Sequence, residues 1–211
     1  MRIIVIFIMI NLIIFCRDAI AFDKIHLKNL KKSNKCNHCN FHQSNFSKID
    51  LRNAQLKYTD FSDSNLRSSD FRGAILINAN FKNSDLTAAR FQKSNLKNAN
   101  LKQTILKFSN FREANLESVI LEKSNLNKVN FINSNLKRVN FKQSNMIKVN
   151  FKKANLNSAN FINSVLDEVN FIEANLTDAN FSSAILKAVS FHGAKFCRTK
   201  MPWGIENPIC E

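Results

Sequence analysis

From Phe41 to Met201 every fifth residue is Phe, Leu or Met, 33 positions without a break. Two residues before each of them stands Ala, Ser, Thr, Cys, Val or Ile, and the residue between is Asn or Asp at 23 of the 33. A period of five fits neither regular element. An α-helix advances about 100° per residue, so side chains five apart lie about 140° from one another and cannot share a face. In a straight strand the faces alternate, so every second member of the series would point the wrong way. The pattern demands a short extended piece, in which the large residue and the small one two before it face the same way, followed by a corner. The chain must coil.

Phe and Leu are not mixed at random along the series. Steps of twenty residues give one column of Phe71, Phe91, Phe111, Phe131, Phe151, Phe171 and Phe191, and another of Leu76, Leu96, Leu116, Leu136, Leu156 and Leu176. Four units per coil follow, with Phe columns on opposite sides and Leu columns between them. A ten-residue coil would leave no room for two Phe rings. At a parallel-strand spacing of about 4.8 Å, the 33 units make about eight coils and a rod roughly 40 Å long. The 211 residues include only 3 Gly and 2 Pro, so the corner is expected to be one that L-residues tolerate, and glycine-rich phosphate loops are excluded. Asn ahead of the large residue, as at Asn130, Asn140 and Asn150, is placed to hydrogen-bond the backbone of the corner.

Units such as Ala154-Asn155-Leu156-Asn157-Ser158 and Ala159-Asn160-Phe161-Ile162-Asn163 resemble the A(D/N)LXX pattern of pentapeptide-repeat proteins. The resemblance implies an all-β fold, a right-handed quadrilateral parallel β-helix, over residues 39–201, with the large and small residues of each unit inside. It implies little about activity, because members of the family do many different things. Some relatives are rods that imitate DNA and bind topoisomerases, which requires a negative surface. This chain carries a formal net charge of +15, so DNA mimicry is not expected of it.

The rod needs covered ends, and residues 22–38 and 202–211 are the candidates, the first with a short cap helix from Asp23 to Ser33. Residues 1–21 read as a signal peptide: Arg2, the apolar run Ile3 to Phe15 broken only by Asn11, then Ala19-Ile20-Ala21. Cleavage after Ala21 makes the protein secreted or periplasmic; the alternative is an uncleaved N-terminal anchor. Without Arg2, Arg17 and Asp18, 29 basic and 15 acidic residues remain, a net charge of +14. Four cysteines remain as well: Cys36, Cys39, Cys197 and Cys210. About eight coils separate Cys39 from Cys197, far beyond the ~7 Å that a disulfide spans, so the expected pairs are 36 with 39 and 197 with 210. A zinc site at Cys36, Cys39, His38 and His42 is the alternative. The segments around these cysteines also look like the terminal segments of exported bacterial relatives.

No Ser/His/Asp order, His cluster or carboxylate pair stands out, so the chain is expected to be no enzyme and to hold no cofactor. Two surfaces are candidates instead. Ile105, Val165 and Ile185 replace the outward Asn in one twenty-residue register, and Phe108 and Ile147 project from the same side, a candidate contact for a protein partner or a second copy. Arg52, Arg72, Arg112, Lys152 and Lys153 recur at the coil spacing and form a candidate polyanion face. Residues 22–160 carry net +16 and residues 161–211 net −2. Three functions follow from these surfaces: an exported interaction scaffold, a binder of polyanions or an anionic membrane surface, and a secreted effector.

Overall fold

The structure is a computed structural model that describes residues 26–30, 32–207 and 209–210. The signal segment 1–21 and Asp23 lie outside the described residues.

Parallel bridges join one residue in every five to the one twenty positions on, from Lys35 with Gln55 through to Asn180 with Lys200. Each residue ahead of a large one bonds the preceding coil and its neighbours bond the following one: the Asp60 N–H donates to the Cys39 carbonyl (2.9 Å), and the Phe61 N–H donates to the Asn80 carbonyl (2.7 Å). Backbone polar groups that would be costly to bury are thereby paired coil to coil. Most contacts are single bridges. Three segments lengthen into strands, β1 (Asn145–Ile147), β2 (Val165–Asp167) and β3 (Ile185–Lys187), which pair in parallel in that order.

Each corner is a turn closed by a bond such as Ala54 N–H to the Leu51 carbonyl (3.1 Å). Its third residue has a positive φ, the sign pattern of a type II turn. Every fifth residue from His38 to Arg198 shares this feature, with φ between 49° and 67°, and only Gly73 and Gly193 among them are glycines. The corner is therefore not one that L-residues adopt freely, as the scarcity of glycine suggests. It is left-handed backbone, occupied by Lys, Asn, Ser and even Phe108, and the fold imposes it against a local cost of about 1–2 kcal/mol at each L-residue. Stacking makes this sustainable, because each corner is held by bonds to the coil above and below.

The interior is filled. Phe61 and Phe81 stack at 5.1 Å in one column, and Phe71 and Phe91 at 4.8 Å in the opposite column. The two columns meet edge to face, as between Phe71 and Phe81 at 5.8 Å. Leu76, Leu96, Leu116 and Leu136 are wholly buried between them. The small position serves a second purpose where it is Ser or Thr. Ser69 Oγ donates to the Leu66 carbonyl (2.6 Å), and Ser84 Oγ donates to the Phe61 carbonyl (2.7 Å), so these buried hydroxyls are satisfied by backbone; Ser44, in the first coil, is an exception.

The two ends differ. At the first coil residues 26–30 and 32–33 are helical, Leu30 is buried, and the His26 ring stands edge-on to Phe41 at 6.0 Å. At the other end β4 (Thr199–Met201) and β5 (Gly204–Glu206) form an antiparallel hairpin. Trp203, Ile205 and Ile209 are exposed there, and Leu186, Val189, Phe191 and Phe196 are only half-buried. Residues 202–207 fold back on the strand before them and leave the last coil partly open.

Candidate functional site

Four five-residue units separate one bridge partner from the next, and the units that recur at twenty-residue steps define four sides. The first begins at Phe41 and every twentieth residue after it, the second at Phe46, the third at Leu51 and the fourth at Leu56. The outward positions of each side are the residue before the large one and the two after it, so side chains twenty apart lie on neighbouring coils.

Arg52, Arg72, Arg112, Lys152 and Lys153 all stand on the third side, and each is engaged by a carboxylate. Arg52 donates from Nε and a terminal nitrogen to Asp50 (2.9 and 2.7 Å), and Arg72 grips Asp70 in the same way. Arg90, from the next coil, reaches Asp70 at 3.2 Å. Arg112 pairs with Glu113 at 2.9 Å, and Lys153 and Lys152 approach Glu173 at 3.3 and 4.0 Å. The remaining cation of this side, Lys93, pairs with Glu113 at 3.7 Å. Hydrogen bonds from Arg52 hold the Asp50 carboxyl down at about 2. Burial works to raise Asp70, but the bonds from Arg72 and the charge of Arg90 outweigh it and keep that carboxyl below its ordinary value. A shallow groove of about 590 Å³ runs along this side between Arg52, Arg72, Gln92 and Arg112. Gly73 lies in it, where a Cβ would sit 2.2 Å from Asn53 Oδ1. This is a ladder of ion pairs in which seven cations share four carboxylates, Asp50, Asp70, Glu113 and Glu173, and its cations are oriented by partners of their own chain. Elsewhere Lys97 and Glu117, and Lys102 and Glu122, pair at 3.2 and 3.1 Å. Their twenty-residue spacing is the signal that reveals such pairs once the coil length is known.

The apolar stripe lies on the second side. Val165 and Ile185, 40% and 62% exposed, adjoin across β2 and β3. Ile105 is separated from them by Asn125 and Asn145 in the same column. Ile147 is half-buried and registers with Asp167 in β2. Phe108 is 56% exposed, with Lys128 Nζ 5.2 Å from its ring centre. The structure thus brings Val165 and Ile185 together near the open end and Ile105 and Phe108 together mid-rod, as two patches.

Cys36 is bonded to Cys39 and Cys197 to Cys210. The first bond takes both thiolates that a zinc site would need. His38 stacks on Tyr58 at 4.7 Å and His42 hydrogen-bonds the Ser62 hydroxyl at 3.0 Å, so the four residues do not converge. Among the described residues no group of three His, Cys, Asp or Glu is arranged to hold a metal ion.

Residues 35–73 match a family model of pentapeptide repeats in eight copies, and residues 74–149 and 134–202 match a model of the pentapeptide repeat region. Among solved structures, HetL, a pentapeptide repeat protein involved in heterocyst differentiation regulation from the cyanobacterium Nostoc sp. strain PCC 7120, is 21% identical. The match covers 82% of this chain and 89% of HetL, with a TM-score of 0.55. QnrB1, a plasmid-mediated fluoroquinolone resistance protein solved in a trypsin-treated form, is 16% identical over 76% of this chain and 84% of its own, with a TM-score of 0.65. Identities this low establish a shared β-helical fold and nothing more. No curated protein sequence matches the chain.

Proposed function

Because the chain belongs to the pentapeptide-repeat family, we propose that it is a non-enzymatic scaffold, a rod that works by offering its exterior to another protein. The observation that carries this reading is the adjoining pair Val165 and Ile185, exposed on β2 and β3 beside a last coil whose Leu186, Phe191 and Phe196 are half-buried. Apolar surface concentrated in this way is what a protein contact removes from water. The rod is taken as a right-handed quadrilateral coil of about eight turns, a reading supported by the twenty-residue register and four positive-φ corners in each. Residues 26–30 and 32–33 serve as its N-terminal cap, supported by buried Leu30. The protein is taken to be exported with residues 1–21 removed, which the two disulfides support. A second copy is the first partner to test. Light scattering should give a dimer mass that falls to that of one chain in Ile185→Lys; a single-chain mass for the unaltered protein at all concentrations overturns self-association.

The charge favours a second reading, binding to a polyanion or an anionic envelope surface. The chain carries +15, and among the described residues the cations without a carboxylate partner are all lysines, while Arg52, Arg67, Arg72, Arg90, Arg112, Arg138 and Arg198 are all ion-paired. Retention on heparin that collapses with added salt is the expected result, and retention that ignores salt removes this reading.

A further inference from the structure

On the third side, richest in arginine, the seven cations Arg52, Arg72, Arg90, Lys93, Arg112, Lys152 and Lys153 are each held by one of four carboxylates, which fix their geometry while leaving a surplus of positive charge. Uncommitted charge gathers elsewhere. Lys107 and Lys128 on the second side, and Lys123 and Lys142 on the first, flank one stretch of the rod. The backbone ladder sets Lys123 beside Lys142 (3.0 Å) and Lys128 beside Ile147 (2.8 Å). Between residues 101 and 148 these two sides carry a single carboxylate, Glu122, and Lys102 holds it at 3.1 Å. Ile105 and Phe108 project from the same stretch, 42% and 56% exposed, with Lys128 lying over the Phe108 ring.

Lysine and exposed apolar side chains on two adjoining sides make a different surface from an arginine ladder. A lysine is a compact charge on a flexible stem, suited to a diffuse field of anions rather than to a single bidentate ligand. A Phe and an Ile among such lysines match an interface that is anionic at its surface and apolar just beneath. We propose that this stretch of the first and second sides, centred on Phe108 and flanked by Lys107, Lys123, Lys128 and Lys142, is a docking surface for an anionic lipid bilayer. The proposal rests on the second reading above and moves its site away from the arginine ladder.

The test is co-sedimentation of the full chain with vesicles of phosphatidylcholine alone and of phosphatidylcholine with phosphatidylglycerol, read as the ratio of the two affinities. The apolar N-terminal segment is present in every protein compared, so changes in the ratio among variants report this surface. Each lysine at an anionic bilayer contributes about fivefold, so replacing all four with Gln is expected to lower the ratio at least tenfold. The fold tolerates the change, because Gln43, Gln103 and Gln143 already occupy positive-φ corners like those of Lys123 and Lys128. Arg112→Gln with Lys152→Gln should leave the ratio within about twofold. Phe108→Ser should weaken vesicle binding severalfold and leave heparin retention unchanged. An equal loss in the lysine and arginine variants, or an unaltered protein indifferent to phosphatidylglycerol, overturns the proposal. If heparin retention survives that indifference, only the bilayer surface fails; if it is absent too, the polyanion reading fails with it.

Discussion

The residue that most defines this fold is the one at each corner. Val, Ile and Thr never occupy the positive-φ positions from His38 to Arg198, yet one position earlier stand Ile77, Thr87, Ile132, Ile147, Ile162, Ile172 and Thr177. Branching at Cβ is the feature that left-handed backbone tolerates least. Ala88, with φ 58°, therefore gives a paired prediction. Ala88→Val should cost about 1–3 kcal/mol, whereas Ala88→Gly relieves the corner and raises the melting temperature, with greater freedom of the unfolded chain offsetting part of the gain. Thermal melts of both variants check the sign. This exclusion of branched residues was legible in the sequence, but only as an absence, and the low glycine content points to a milder turn than the one observed. Asp70 gives a prediction in pH. Its carboxyl is held below the ordinary value by Arg72 and Arg90, so its contribution is complete above about pH 4 and drains away as the pH falls through the depressed value. Asp70→Asn should cost about 1–3 kcal/mol at pH 7, and the gap between variant and wild type in denaturant midpoint should shrink steadily on acidification below that point.

At the scale of the coil, the element is twenty residues closed by bridges to its neighbours, and its sides are tied by side-chain ladders as well as backbone. Asn115 accepts from the Glu117 N–H (3.2 Å) and from Asn135 Nδ2 (3.1 Å), and donates to Asn95 Oδ1 (3.3 Å). Asn115→Ala breaks three coils' worth of bonding at one point and should lower stability by about 1–2 kcal/mol, measured by urea titration. The inward columns and the coil length were readable, because the Phe and Leu positions repeat every twenty residues and burial enforces them. The ion pairs take one step more, because Lys93 meets Glu113 and Arg198 meets Asp178 only when the twenty-residue register is applied to the outward positions as well as the inward ones. The C-terminal hairpin was hidden for a different reason: residues 202–210 carry no period, so nothing in them distinguishes a cover from a strand that turns away. The Cys197–Cys210 bond spans 13 residues and holds that hairpin to the last coil. Reduction should expose the segment around Trp203 to proteolysis while the coils remain folded, because the bond lies outside the stacked columns. Fragment masses after limited digestion, with and without reductant, test this.

For the whole molecule, each coil touches only the coil above and the coil below, so stability is a sum over neighbouring interfaces and depends on where along the rod a contact is lost. Phe131 stacks on Phe111 at 5.2 Å and on Phe151 at 5.0 Å, and meets Phe141 edge-on at 6.1 Å. Phe191 stacks on Phe171 at 5.2 Å on one side only and is half-buried on the other. Truncating Phe131 to Ala opens a cavity shared by two interfaces and should cost about 3–5 kcal/mol. Truncating Phe191 removes one stacking partner at a partly wet end, where the remaining side chains can settle inward, and should cost less than half as much. Phe131→Asp should go further and unfold several coils together, since a carboxylate in that column has no cation or water to meet. Denaturant titrations of the three variants separate the cases through their midpoints, and hydrogen exchange locates the loss. If Phe191→Ala proves as costly as Phe131→Ala, the last coil is covered in solution by something that the folded single chain does not supply, and the apolar end at Ile185 is where to look for it.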